Sequence, residues 1–101
     1  MSAYALIDVH VHDIGRYVEY MREMRPVLEA IGGRYLVRGG EFRVYQGDYQ
    51  PRRLVVIEFP SLEALETCFN GERCQSLGAA YADCAESRVI GVDGVREKPT
   101  K

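Results

Sequence analysis

The sequence predicts an α+β domain: a four-stranded antiparallel sheet with two helical regions on one face. Three observations carry this. Apolar periodicities of two and of roughly 3.6 residues alternate along the chain in the order β-α-β-β-α-β. The stretch from Gly32 to Leu62, GGRYLVRGGEFRVYQGDYQPRRLVVIEFPSL, holds two strands and their turn between a helix end and a helix start. Finally, 101 residues supply one hydrophobic core and no material for a second.

The elements follow in order. From Ala3 to Val11 the chain alternates, with Ala5, Ile7, Val9 and Val11 on one side and Tyr4, Leu6, Asp8 and His10 on the other. Asp13 is a good N-cap, and Ile14, Val18, Met21, Met24, Leu28 and Ile31 recur at helical spacing until Gly32-Gly33 offers a left-handed stop. Pro26 removes the bond its N–H would make to Arg22, which predicts a kink or break costing about 3 kcal/mol. Arg34 to Arg38 and Phe42 to Gln46 read as one strand interrupted at Gly39-Gly40, and a turn at residues 47–51 leads into Arg53 to Phe59. Pro60 ends that ladder. Ser61 caps a helix from Leu62 to Phe69, which Asn70-Gly71 interrupts before it resumes from Glu72 to about Ala85. Arg88 to Val92 is the fourth strand, which gives a domain over residues 1–95 and a disordered charged tail over 96–101.

This order is the split βαβ, or ferredoxin-like, pattern, whose right-handed crossovers put both helical regions on the same face. With Ala5, Ile7, Val9, Val55, Ile57, Phe59, Ile90 and Val92 turned toward the helices, the opposite face holds Tyr4, Leu6, Leu54 and Val56. That face is too apolar to leave in water, and a second copy of the chain is its simplest cover, so the expected partner is the protein itself.

Thirteen basic and fifteen acidic side chains give a net charge of −2 with no basic cluster, which argues against nucleic acid or anionic lipid as a partner. The first dozen residues include two histidines and an aspartate and fit neither a secretory signal nor a membrane span, so the expected location is cytoplasmic. Cys68, Cys74 and Cys84 are odd in number and lack C-x-x-C spacing, so they read as reduced packing residues.

Gly32-Gly33, Tyr35-Leu36-Val37-Arg38-Gly39-Gly40, Gly47-Asp48 and Arg53-Leu54-Val55-Val56-Ile57-Glu58-Phe59-Pro60-Ser61, with Tyr17 and Tyr20 on the preceding helix, resemble the signature of domain-of-unknown-function family 1330. The resemblance spans roughly Tyr4 to Val95. It implies membership of the dimeric α/β-barrel superfamily, in which two ferredoxin-like sheets close face to face. Enzymes without cofactors, haem enzymes and plain binding proteins share that architecture, so the fold does not select an activity.

The residues themselves suggest a site beside the second and third strands. If Gln46 pairs with Arg53 across the turn, Glu58 faces Glu41 and Arg38 falls near Ser61, and a bulge at Gly39-Gly40 would bring Arg38 back toward Glu58. An arginine fork there could hold a carboxylate while a desolvated Glu58 acts as base; the competing reading is a structural ion pair. Arg38, Tyr20, Tyr35 and Ser61 are therefore candidate ligand-binding residues, and Glu58 and His10 candidate catalytic ones. Asp8, His10 and His12 alternate on one face as D-x-H-x-H, but their spread along a strand makes a metal a weak prospect, so neither metal nor organic cofactor is expected. The expected function is binding of a small molecule by a homodimer, with metal-free and cofactor-free catalysis on a small carboxylate or carbonyl compound as its extension; the alternative is a non-catalytic ligand-binding or stress-associated dimer in which Arg38 and Glu58 only hold the hairpin.

Overall fold

The computed structural model describes residues 1–95, so the expected tail over 96–101 lies outside the described residues. Strand β1 spans Ala3–Val11 and helix α1 Ile14–Glu29, followed by β2 (Arg34–Arg38), β3 (Leu54–Phe59), α2 (Leu62–Asn70), α3 (Glu72–Ala80) and β4 (Ala85–Asp93). The sheet order is β2-β3-β1-β4 with every pairing antiparallel, which is the ferredoxin-like arrangement. None of the helices among the described residues is long and apolar enough to cross a membrane.

Local chemistry sets the boundaries. The Asp13 carboxylate accepts from the Arg16 N–H at 3.2 Å and starts α1, and the Ser61 hydroxyl accepts from the Ala64 N–H at 3.0 Å and starts α2. Pro26 does not break α1: the helix runs on to Glu29 with the Arg22 carbonyl forgoing the proline's N–H, and the Pro26 carbonyl still accepts from Ala30 at 3.0 Å. Gly32 ends the helical run with φ of 85°, and a Cβ there would also lie 2.9 Å from Pro60.

Three expectations need correction. The segment Phe42 to Gln46 is not a strand; β2 ends at Arg38, and residues 39–53 form a loop. Gly39 donates a last bond to the Leu54 carbonyl at 2.8 Å and then turns away with φ of 77°, so the alternating segment beyond it leaves the ladder. The second correction is register. Arg34 pairs with Glu58 and Tyr35 with Ile57, while Val37 pairs with Val56 and Arg38 with Val55, so the bulge falls at Leu36 rather than at Gly39-Gly40. Thirdly, β4 begins at Ala85, where α3 was expected to end, and pairs with β1 over its whole length.

That pairing also reverses the expected facing of β4. Leu6 lies opposite Ile90 and Tyr4 opposite Val92, and directly opposed residues share a face, so Ile90 and Val92 stand on the open side. Gly91 is the residue turned to the helices, where a Cβ would meet Leu65 Cδ2 at 2.8 Å. The helix side carries the core: Phe59, Leu28, Met24, Tyr17, Ala3, Ala5 and Ile57 are buried, together with the free thiols Cys68, Cys74 and Cys84. The open side presents Val37, Val56, Leu6 and Ile90 as one row across all four strands, with Ile90 62% exposed. The molecule is only 17 Å deep along its shortest axis, the depth of one helix layer on one sheet.

Candidate functional site

A groove of about 750 Å³ runs between β4 and the helices, bordered by Tyr20, Leu65, Phe69, Cys74, Gly78 and Val89. It exists because small residues stand where the layers meet: Gly78 on α3 has no neighbour near its missing Cβ, and Gly91 brings the strand against Leu65. Tyr20 sits among aromatic rings, 6.2 Å from Tyr17 and 5.7 Å from Tyr81. Its hydroxyl has no hydrogen-bond partner among the described residues, and burial pushes its pKa far above the ordinary phenol value, so it is a proton donor at any physiological pH. A smaller cleft of about 290 Å³ shares Tyr20 and Gly78 and continues past Tyr81 to Ser87. Burial raises the Cys74 thiol pKa as well, which makes it a packing group with little thiolate character.

The site expected at β2 and β3 is not assembled. Arg38 pairs with Val55 and so lies on the helix face, whereas Glu58 pairs with Tyr4 and lies on the open face. Arg34, not Arg38, holds Glu58, at 2.8 Å and with most of the arginine in solvent. Hydrogen bonds from Ser2 and then Arg34 hold the Glu58 pKa below the ordinary carboxylate value, the opposite of what a desolvated base requires. The Ser61 hydroxyl is committed to its cap. Tyr35 is half-buried and donates to Met21 Sδ at 3.8 Å, and Arg38 lies over its ring at 5.1 Å. Arg53 stacks 5.5 Å over Tyr17, and neither it nor Arg38 has a carboxylate within 4.0 Å among the described residues.

The open-face end of β1 carries a third cluster. Asp8 accepts from the Tyr49 hydroxyl and from the Arg52 N–H at 2.9 Å, which pins the 39–53 loop to the sheet. The bond from Tyr49 is the main reason the Asp8 pKa falls below the ordinary value. His10 pairs with Glu86 across the ladder, its ring centroid is 4.5 Å from that of His12, and His12 Nε2 is 3.8 Å from Glu86 Oε2. A cleft of about 400 Å³ opens there, with Asp8, His10, Tyr49, Arg52, Glu86 and Arg88 on its walls. Glu86 and Tyr49 carry no local sequence signal; only the β1–β4 register and the loop path bring them in.

Because the Asp8 pKa is lowered in the folded state, its contact with Tyr49 contributes stability above the ordinary carboxylate pKa and loses it as pH falls through the lowered value. Tyr49→Phe is expected to move the Asp8 titration up toward its ordinary value and to speed proteolysis within residues 39–53. Carboxyl-detected NMR titration and limited proteolysis check this, and an unchanged Asp8 titration would contradict it.

Comparison with known proteins places this fold. A solved protein of unknown function from Rhodopseudomonas palustris superposes with a TM-score of 0.71 at 17% identity, covering 95% of this chain and 84% of that one. A putative antibiotic biosynthesis monooxygenase from Caulobacter crescentus CB15 shares the fold with a TM-score of 0.55 at 13% identity, covering 94% and 92%. Another so described, from Nitrosomonas europaea, gives 0.52 at 14%, covering 98% and 94%. At such identities the likeness shows the fold alone. No curated protein matches the sequence. The profile of the family described as Domain of unknown function (DUF1330) matches residues 2–95, and the chain belongs to that family.

Proposed function

We propose that the protein is a homodimer, closed through its open sheet face, that binds a small and mostly apolar molecule carrying a carbonyl or similar acceptor oxygen in the groove beneath α3. The observation that carries this reading is the Tyr20 hydroxyl, without a hydrogen-bond partner among the described residues, on the wall of a groove whose other walls are mostly apolar but include Glu66, Asn70 and Gln75. Tyr20 is half-buried, and a hydrogen bond from its hydroxyl to an acceptor on a ligand contributes roughly 0.5–1.5 kcal/mol. No basic side chain borders the groove, while Glu66 does, so a carbonyl suits it better than a carboxylate. The dimer is supported by the apolar row from Val37 to Ile90. Binding is favoured over catalysis because the expected base, Glu58, lies on the other face and is held ionised by Ser2 and Arg34.

The test uses 2-acetonaphthone, a flat ketone, followed by amide NMR shifts. Shifts are expected at Tyr20, Phe69, Gly78 and Gly91. Gly78→Leu, whose side chain enters open space and whose helix propensity is better than that of glycine, is expected to keep the fold and abolish binding. Tyr20→Phe is expected to weaken the ketone by about 2- to 10-fold, the worth of one hydrogen bond, while leaving naphthalene itself unaffected. Shifts elsewhere, or full binding by Gly78→Leu, would refute the groove.

A further inference from the structure

We propose that His10, His12 and Glu86 form a site for a divalent transition-metal ion, with Zn²⁺ the ion their donors suit, and that at least one coordination position stays open to the cleft beside them. The donor atoms of the three side chains lie within 4.8 Å of one another. Tetrahedral zinc with bonds of about 2.0–2.1 Å holds its donors about 3.4 Å apart, so the His12–Glu86 separation of 3.8 Å already approaches a coordination edge. Small rotations of half-buried or exposed side chains bring in the third donor.

The backbone makes this convergence reproducible. Residues two apart on a strand have Cα atoms about 6–7 Å apart, yet the two imidazoles lean together to 4.5 Å between centroids. Glu86 faces His10 directly across the β1–β4 ladder. The strand end is fixed because the N–H groups of His12 and Asp13 both donate to the Cys84 carbonyl, at 2.8 and 3.1 Å. Two imidazoles and one carboxylate match borderline divalent ions, and three protein donors with an open position are the pattern of reactive rather than structural zinc. Asp8, two residues back on the same face, is not a competing ligand, since Tyr49 and the Arg52 N–H engage its carboxylate. Arg52, Arg88 and Tyr49 border the same cleft, so a small anion could complete the coordination sphere. The cluster is independent of the groove beneath α3. His10 lies four residues along β1 from Leu6, or about 13 Å, and His12 stands just past the strand's end, at the rim of the apolar row.

The experiment is calorimetric titration of Zn²⁺ into the chelator-treated full chain, paired with Co²⁺ absorption spectra. One Zn²⁺ per chain is expected. His12→Ala and Glu86→Gln are each expected to weaken it by more than about tenfold, since even loss of an outer-sphere partner costs ~10–100-fold, and His10→Ala/His12→Ala is expected to abolish it. Circular dichroism checks that the variants keep their fold, and Glu86→Gln, isosteric at a surface position, guards against loss of folding as the cause. Failure of the wild type to bind Zn²⁺, affinity unchanged in the variants, or a thiolate charge-transfer band with Co²⁺ that assigns the ion to a cysteine would overturn the proposal.

Discussion

Leu6→Asp is expected to convert a homodimer into a folded 11.4 kDa monomer. Leu6 sits on a central strand, between Val56 and Ile90 in the apolar row of the open face, and is 43% exposed in the isolated chain. A polar replacement at such a surface position costs the monomer itself little, within about 0.5 kcal/mol. In a closed dimer the same position is near the centre of an interface expected to bury more than about 1,000 Å². A carboxylate there loses its water, and central positions of this kind cost about 2 kcal/mol or more, a weakening of at least ~30-fold. Light scattering at tens of micromolar separates the two masses, and circular dichroism checks that the sheet persists. A wild-type monomer at that concentration, or a variant as dimeric as the wild type, would mean that the open face is covered in some other way.

The parts of this fold that were legible in the sequence are those where one face is clearly apolar. Strand β1 alternates cleanly and α1 has a capping aspartate, a periodic stripe and a left-handed glycine, so their limits follow from local chemistry. Strand β4 reads AESRVIGVD, with Val89 on one parity and Ile90 and Val92 on the other, and such a strand does not declare its buried side; Gly91 against Leu65 decides it, and only tertiary packing supplies that fact. The Phe42 to Gln46 segment has the alternation of a strand, but Gly39 turns it off the sheet before it can pair. Arg38 is separated from Glu58 because residues 39–53 form a loop and not a hairpin, which moves Arg38 from its expected place near Ser61 to Val55, and the bulge at Leu36 then leaves it on the other face. Tyr20 was readable as a residue on the edge of the helical stripe, and the groove lies there. His10 and His12 were visible as a pair, whereas Glu86 required the register of a strand more than seventy residues away. Chemistry that depends on long-range register is where local pattern stops informing.

Phe59→Ala is expected to have the largest effect on stability and to reach the groove without touching it. Phe59 has no exposed surface, lies opposite Ala3 on β1, and packs its ring so close to Gly33 that a Cβ there would stand 2.9 Å away. Truncation leaves a cavity beside the Gly33 backbone that Phe69 can fill only in part, so the loss is expected to be about 3–5 kcal/mol. Against a total of about 5–15 kcal/mol for a domain of this kind, that leaves a protein close to unfolding. Urea unfolding at fixed protein concentration measures it, with an unchanged slope showing that both states keep their compactness. The functional consequence passes through Phe69, which borders the groove and meets Phe59 edge-on, with 5.9 Å between ring centroids and 66° between planes. Without Phe59, Phe69 can rotate into the vacated volume, so the folded fraction of Phe59→Ala is expected to bind 2-acetonaphthone more weakly than the wild type. A stability loss below about 1 kcal/mol would show that the core relaxes around the missing ring. Unchanged ketone binding by folded Phe59→Ala would show that Phe69 is held by the helices alone.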